Sequence, residues 1–309
     1  GFIGFHLASC FLKKKIEVIG IDNLDNYYSI KLKKKRLQLL KKNKNFKFIK
    51  CDIASSKLPN YIKRYNFEVI IHLAAQAGVR YSLINPKKYI KSNIKGFCNL
   101  FESINSKKLK KVIYASSSSV YGDTKRFPTL ENQKLKPKNI YGYSKILNEK
   151  MAEYYSKKFK IPYIGLRFFT IYGKWGRPDM FILKTLIEND KNKTFYLNNH
   201  GNHLRDFTSI KDVIKICTKI FYKKFSNNKI YNVCSNNPQK IKKVFELIQK
   251  EYGNIKYKNI EKNKADVLNT HGDNSRIKRD LKYNKFQKFR MELVEIINWY
   301  RSVKKYNFF

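Results

Sequence analysis

Tyr141 and Lys145 lie four residues apart in Tyr141-Gly-Tyr-Ser-Lys145, which puts both on one face of a helix, about one turn from each other. A phenol with its usual pKa near ~10 is a poor base at neutral pH. A neighbouring ammonium favours the phenolate and brings that pKa toward the working range. The spacing therefore predicts a proton-transfer pair, with Tyr141 as base and Lys145 as the cation that lowers its pKa. Ordinary helix surface pairs share this spacing, so residues upstream must decide between the two.

Upstream, Gly1-Phe-Ile-Gly4 runs into a helix-patterned stretch over residues 5–12, followed by the short apolar run 17–22 ending in Asp22. This is the second half of a dinucleotide fingerprint: a glycine turn, a helix, a strand and then a carboxylate about ~20 residues on. Gly1 and Gly4 let the backbone approach a pyrophosphate, whose charge the helix N-terminus favours. The chain opens inside this motif without Met, and it is read as lacking its first strand and first glycine. Asp22 is suited to accept from the adenosine ribose hydroxyls and to repel a 2′-phosphate. Asn23 follows with no Arg beside it, which favours NAD over NADP.

Strands and helices continue to alternate. Residues 46–51 precede Asp52-Ile53, where an acid after a strand can reach the adenine edge. The run Val-Ile-Ile-His over 69–72 continues into Leu73-Ala74-Ala75. It reads as a buried parallel strand ending in small residues against which a cofactor can lie. A helix is expected over 90–105 and a strand over 112–115. Four serines, including Ser117 and Ser118, come directly after that strand, where doubly wound sheets bind ligands. The expected fold is α/β, a Rossmann-type doubly wound parallel sheet with a smaller α/β substrate-binding lobe.

Composition excludes several classes. At 309 residues and 42% hydrophobic the chain can bury a large core. No apolar run approaches the ~18 residues that cross a bilayer. Five scattered cysteines without a C-x-x-C argue for reduced thiols in a cytoplasmic setting. His200-x-x-His203 lacks a third ligand, so no metal site is expected. The net charge of +43 suggests polyanions, but only 11 of the 66 basic residues are Arg, and they are spread along the chain. No nucleic-acid-reading motif accompanies them.

Taken in order, Gly-x-x-Gly, Asp22, Leu73-Ala-Ala, the serines with Val120-Tyr-Gly122 and Tyr141-x-x-x-Lys145 resemble the extended short-chain dehydrogenase/reductase superfamily. The sequence resembles its nucleotide-sugar epimerase/dehydratase branch. Residues 74–82 and 167–180 are similar to UDP-glucuronate 4-epimerases. The resemblance runs nearly end to end, and it implies an enzyme that holds NAD and inverts C4 of a UDP-sugar through a transient 4-keto intermediate. It implies a cofactor wall of Gly1, Ile3, Gly4, Asp22, Asp52, Ile53, Leu73, Ala74, Ala75 and Asn93, completed by Tyr141 and Lys145. It places Ser117 between the sugar hydroxyl and the phenol, with Ser118 beside it. Arg205 resembles the diphosphate contact and Asp266 the uridine-ribose contact. Arg177, Thr170 and Arg80 match positions near a uronate carboxylate, although Arg177 also has Asp179 in reach as an ordinary salt-bridge partner. The implied domains are 1–173 with 206–235 returning to it for NAD, and 174–309 mainly for the sugar nucleotide. A homodimer through helices near 90–105 and 144–159 is implied too, with neither membrane nor nucleic acid as a partner. Dehydratases carry Asp-Glu, and decarboxylases Glu, where this chain has Ser118-Ser119. UDP-glucose 4-epimerase remains the alternative.

Overall fold

The computed structural model describes residues 1–104, 108–263 and 265–309. Four parallel strands form its largest sheet, in the spatial order Val69–His72, Lys111–Ser117, Tyr163–Phe168, Lys229–Val233. Such strands are buried on both faces, and every residue of Tyr163–Phe168 is buried. Side chains alternate between two cores. Ile113 packs with Phe2, Leu7, Phe11, Val213 and Ile216 on one face, while Val112 and Tyr114 pack with Phe97, Phe101 and Tyr155 on the other. Helices therefore cover both faces, as a doubly wound sheet requires.

A second parallel pair, Val18–Asp22 with Phe46–Lys50, shares no hydrogen bonds with the first sheet. The strands Val18–Asp22 and Val69–His72 instead line one large cavity of about 1370 Å³. This cavity continues into the cleft at the carboxyl ends of the strands.

The helix Ile210–Tyr222 packs on Phe2–Lys13, and Lys229–Val233 pairs with Tyr163–Phe168, so this stretch lies with the first half of the chain. Lys111 Nζ donates to the carbonyls of Ile220, Phe221 and Lys223, a cation at the negative end of the helix Ile210–Tyr222. Ile277, Leu281 and Tyr283 join the same core, although the sequence reading assigned them to the second lobe.

That lobe is built on the strands Thr170–Tyr172, Leu204–Ser209 and Pro238–Lys240 and on the pair Phe195–Asn198 with Tyr257–Ile260. Its core joins the helices Phe181–Asp190, Ile241–Tyr252 and Phe289–Val303 through Leu186, Phe245, Leu293 and Ile296.

The expected helix over 90–105 forms as two pieces. A π-helical turn, Ile90–Lys95, runs into an α-helix, Gly96–Glu102, and Asn105 lies outside the described residues. Among the described residues, no helix is long and apolar enough to cross a membrane.

Candidate active site

The helix Ile140–Phe159 begins at Asn139, whose side chain accepts from the Gly142 N–H at 2.9 Å. This cap ends an orphan donor of the first turn and fixes where Tyr141 leaves the helix. A Cβ on Gly142 would lie 2.7 Å from the Ser119 carbonyl oxygen and 2.8 Å from Pro137. Glycine at 142 thus lets the helix start press against the Ser118–Val120 turn, and it brings the serines to Tyr141. Ser117, Ser118, Tyr141 and Lys145 all line the cavity.

Lys145 is 2% exposed. Its Nζ donates to the Ala115 carbonyl at 2.9 Å and lies 6.0 Å from the centre of the Tyr141 ring. Burial lowers its pKa to about 8, opposed by the charge of Glu149 one turn further along. Tyr141 differs from the expectation. Burial raises its pKa, while a hydrogen bond from Ser117 and the charge of Arg177 pull it down. Lys145 donates to a backbone carbonyl and not to the phenol, so it acts on Tyr141 through its charge and not through a hydrogen bond. Arg177, from another part of the chain, adds a second cation that opposes the effect of burial.

The cofactor candidates gather on one side. Gly1 stands at the N-terminus of the helix Phe2–Lys13, and its nitrogen lies 2.9 Å from Asp22 Oδ2. The other Asp22 oxygen accepts from the Leu24 N–H at 2.8 Å. A Cβ on Gly1 would meet nothing within 4 Å, and one on Gly4 only Leu73 at 3.8 Å. Ile3, Asp52, Ile53, Leu73, Ala74 and Ala75 complete the wall. An open glycine turn, a helix N-terminus, small strand-end residues and a carboxylate placed for a diol fit a dinucleotide. Asn93 does not join that wall. It is 1% exposed and binds the Gln76 backbone by both ends of its amide (2.7 and 3.1 Å) and the Ser144 hydroxyl (3.0 Å). Asn93 therefore ties the loop after Val69–His72 to the helix that carries Tyr141.

On the opposite side, Thr170, Arg177, Arg205 and Asp266 line the cavity. Arg205 donates to the carbonyls of Leu204, Val267 and Leu268. No carboxylate lies within ion-pair distance of it among the described residues, and burial lowers its pKa to about 10. A guanidinium held by neutral carbonyls keeps its charge for an anion. Arg80 is absent from the cavity wall. Both its Nε and Nη2 donate to Asp266 (3.3 and 2.7 Å), so two residues expected to contact different parts of a ligand contact each other across the cleft. Arg177 pairs with Asp179 through Nε and Nη2, the local salt bridge weighed as its ordinary role.

Two further groups escaped the sequence reading. Tyr27 lines the cavity and donates to Asp179 at 3.1 Å. Glu149 and Arg167 form a buried bidentate pair at 2.9 and 2.8 Å, which also takes up the Ser116 and Tyr121 hydroxyls. Residue 167 was legible only as the first of the stretch 167–180, and residue 149 only as a member of the helix near 144–159.

The family model for the NAD dependent epimerase/dehydratase family matches residues 1–234. The chain belongs to this family. Among curated members, an uncharacterized protein of Methanocaldococcus jannaschii is 41% identical over 310 residues, covering 98% of this chain and 94% of that one. UDP-glucuronate 4-epimerase 4 of Arabidopsis thaliana is 33% identical over 98% of this chain and 74% of its own length. The crystal structure of UDP-glucuronic acid 4-epimerase from Bacillus cereus, in complex with UDP-glucuronic acid and NAD, superposes with a TM-score of 0.92 at 28% identity. It covers 98% of this chain and 97% of that chain. As a member of the family, this chain is an NAD-dependent isomerase with a Rossmann-type fold.

The lowered pKa of Lys145 sets a pH dependence for this family member. A cation whose pKa is depressed in the folded state loses its proton there first. Between pH about 8 and the ordinary lysine value near ~10.4, the unfolded chain holds the proton and the native one does not. Stability from this group therefore rises with pH across that window, whereas any step needing the ammonium fails. A kcat/KM profile is expected to fall above pH about 8, with no parallel fall in thermal stability arising from Lys145.

Proposed function

We propose that the chain interconverts UDP-glucuronate and UDP-galacturonate by inversion at C4. The reading is carried by one observation: Arg177 shares the cavity with Tyr141 and is near enough for its charge to lower the phenol pKa. A guanidinium in the cavity that holds the phenol suits a substrate with a carboxylate at C5, and UDP-glucose has none.

Bound NAD supplies a reversible hydride acceptor for C4. Gly1, Ile3, Gly4, Asp22, Asp52, Ile53, Leu73, Ala74 and Ala75 hold it, and Lys145 orients its nicotinamide end while keeping positive charge beneath the phenol. Tyr141 removes the proton of the 4-hydroxyl and returns it after the flat 4-keto sugar has turned over. Ser117 bridges that hydroxyl and the phenol, and Ser118 and Thr170 bind nearby sugar oxygens. Arg205 receives the diphosphate, and Asp266, once released by Arg80, the uridine ribose. Residues 1–173 with 206–235 form the cofactor domain, less the strands Thr170–Tyr172 and Leu204–Ser209 that pair in the sheet of the second lobe. Residues 174–309 form mainly the sugar-nucleotide lobe, less the stretch 277–283 that packs with the first core.

A homodimer is supported by Ile140, Tyr143, Leu147 and Tyr154, exposed along one helix, and by Leu83, Ile84 and Ile90 nearby in sequence. Apolar stripes of this kind mark association surfaces.

The test is incubation of the purified protein with UDP-glucuronate and no added NAD, with chromatography of the products. UDP-galacturonate is expected. Conversion of UDP-glucose with none of UDP-glucuronate would remove the uronate assignment and leave a UDP-glucose 4-epimerase.

A further inference from the structure

The groups around Arg177 form a device that neither the motif Tyr141-x-x-x-Lys145 nor the glycine turn accounts for. Asp179 takes Nε and Nη2 of Arg177. The Tyr27 ring centre lies 5.6 Å from the guanidinium carbon, within cation–π range, and the Tyr27 hydroxyl donates to Asp179 Oδ2 at 3.1 Å. Tyr27 belongs to the loop after Asp22, 150 residues before Arg177 in the chain. It is itself anchored: its N–H donates to Asp25 at 2.8 Å, Asp25 pairs with Lys88 at 2.9 Å, and its ring packs on Tyr81 with centroids 5.0 Å apart. Gly78 makes room for it. There φ is +101°, and a Cβ would lie 2.2 Å from the Tyr27 hydroxyl oxygen.

We propose that Tyr27 and Asp179 are positioning residues for Arg177, clamping its Nε/Nη2 edge so that the opposite edge, Nη1 with the second N–H of Nη2, is presented to the sugar carboxylate. The proposal rests on the uronate reading above and adds that selectivity for a C5 carboxylate depends on a residue of the cofactor loop. An arginine side chain is long and rich in rotamers, so a grip that must stay fixed while the sugar turns has to be ordered beforehand. Burial lifts the Tyr27 pKa to about 12, which keeps its hydroxyl a donor to Asp179 at working pH.

A loosened grip has a chemical readout. The 4-keto uronate is a β-keto acid. If its carboxylate rotates, the C5–C6 bond breaks and CO2 leaves. The bonding pair passes into the 4-keto group as an enolate, which a proton from solvent quenches at C5. The wild-type protein and the variants Asp179→Asn and Tyr27→Phe are incubated with UDP-glucuronate. The ratio of CO2 released to UDP-galacturonate formed is measured together with retained NAD and thermal stability. The ratio is expected to rise by about tenfold in Asp179→Asn, from loss of a bond to a charged group, and by a smaller factor in Tyr27→Phe, with retained NAD unchanged.

A role in folding alone would lower NAD content, stability and turnover together and leave the ratio where it was. An unchanged ratio in both variants overturns the proposal. If Asp179→Asn does not fold, Tyr27→Phe decides it, because the ring and its packing are kept. Wild-type protein that turns over UDP-glucose alone removes the uronate reading and the proposal with it, and that outcome is read before either variant is made.

Discussion

Tyr141→Phe is expected to lower turnover of UDP-glucuronate by about 10²–10⁴-fold, the usual contribution of a positioned general base. The substitution removes one oxygen from a ring whose position is set elsewhere. Asn139 caps the helix, Gly142 presses it against the serine turn, and the ring lies 6.1 Å from that of buried Tyr89. Retained NAD and thermal stability should therefore match the wild type, and KM should change far less than kcat. The check is steady-state kinetics with both epimers, alongside release and quantification of the bound cofactor. Full activity in Tyr141→Phe would mean that another group takes the C4 hydroxyl proton.

Arg167→Met is the second large effect, and it concerns stability. The side chains of Arg167 and Glu149 are 4% and 6% exposed. Deleting one partner of such a pair leaves an uncompensated buried charge, at a cost of about 3–5 kcal/mol. Glu149 would lose two guanidinium bonds and, among the described residues, keep the Ser116 hydroxyl. Tyr121 and the Glu131 carbonyl would each lose a donor. Urea denaturation monitored by circular dichroism should show the midpoint falling with an unchanged slope. Glu149 also raises the Lys145 pKa, so with Arg167 gone its charge should act more strongly. The alkaline limb of the rate profile should then move to higher pH. An unfolding free energy within about 0.5 kcal/mol of wild type, the range of ordinary surface changes, would show that the pair is hydrated and not the buried anchor described above.

The alternation of short apolar runs and amphipathic stretches was sufficient for the α/β class, because a strand buried on both faces must be apolar throughout. Gly4, Asp22, the small residues 73–75 and the Tyr141/Lys145 spacing were legible for a related reason. Each needs only its own residue type and a local backbone form to reach the carboxyl end of the sheet. The helix over 90–105 was less legible. No local rule marks where an α-helix yields to a π turn, and the break at Ile90–Lys95 holds Asn93 against the Gln76 backbone.

Tertiary structure decided which charges meet. Arg80 with Asp266, Arg167 with Glu149, and Tyr27 with Asp179 are separated by 186, 18 and 152 residues, and no periodicity links such positions. Lys145 illustrates the limit most directly. Its place one turn from Tyr141 was readable, but its hydrogen bond to the Ala115 carbonyl was not. A pKa depends on burial and on the nearest charges in space, whichever segments supply them. The sequence alone determined which groups stand at the carboxyl ends of the strands, because residue type and strand order place them there. Only the packing of the second lobe against that edge brought the Arg177 guanidinium into the cavity that holds Tyr141, since electrostatic coupling follows distance through the folded chain and not along it.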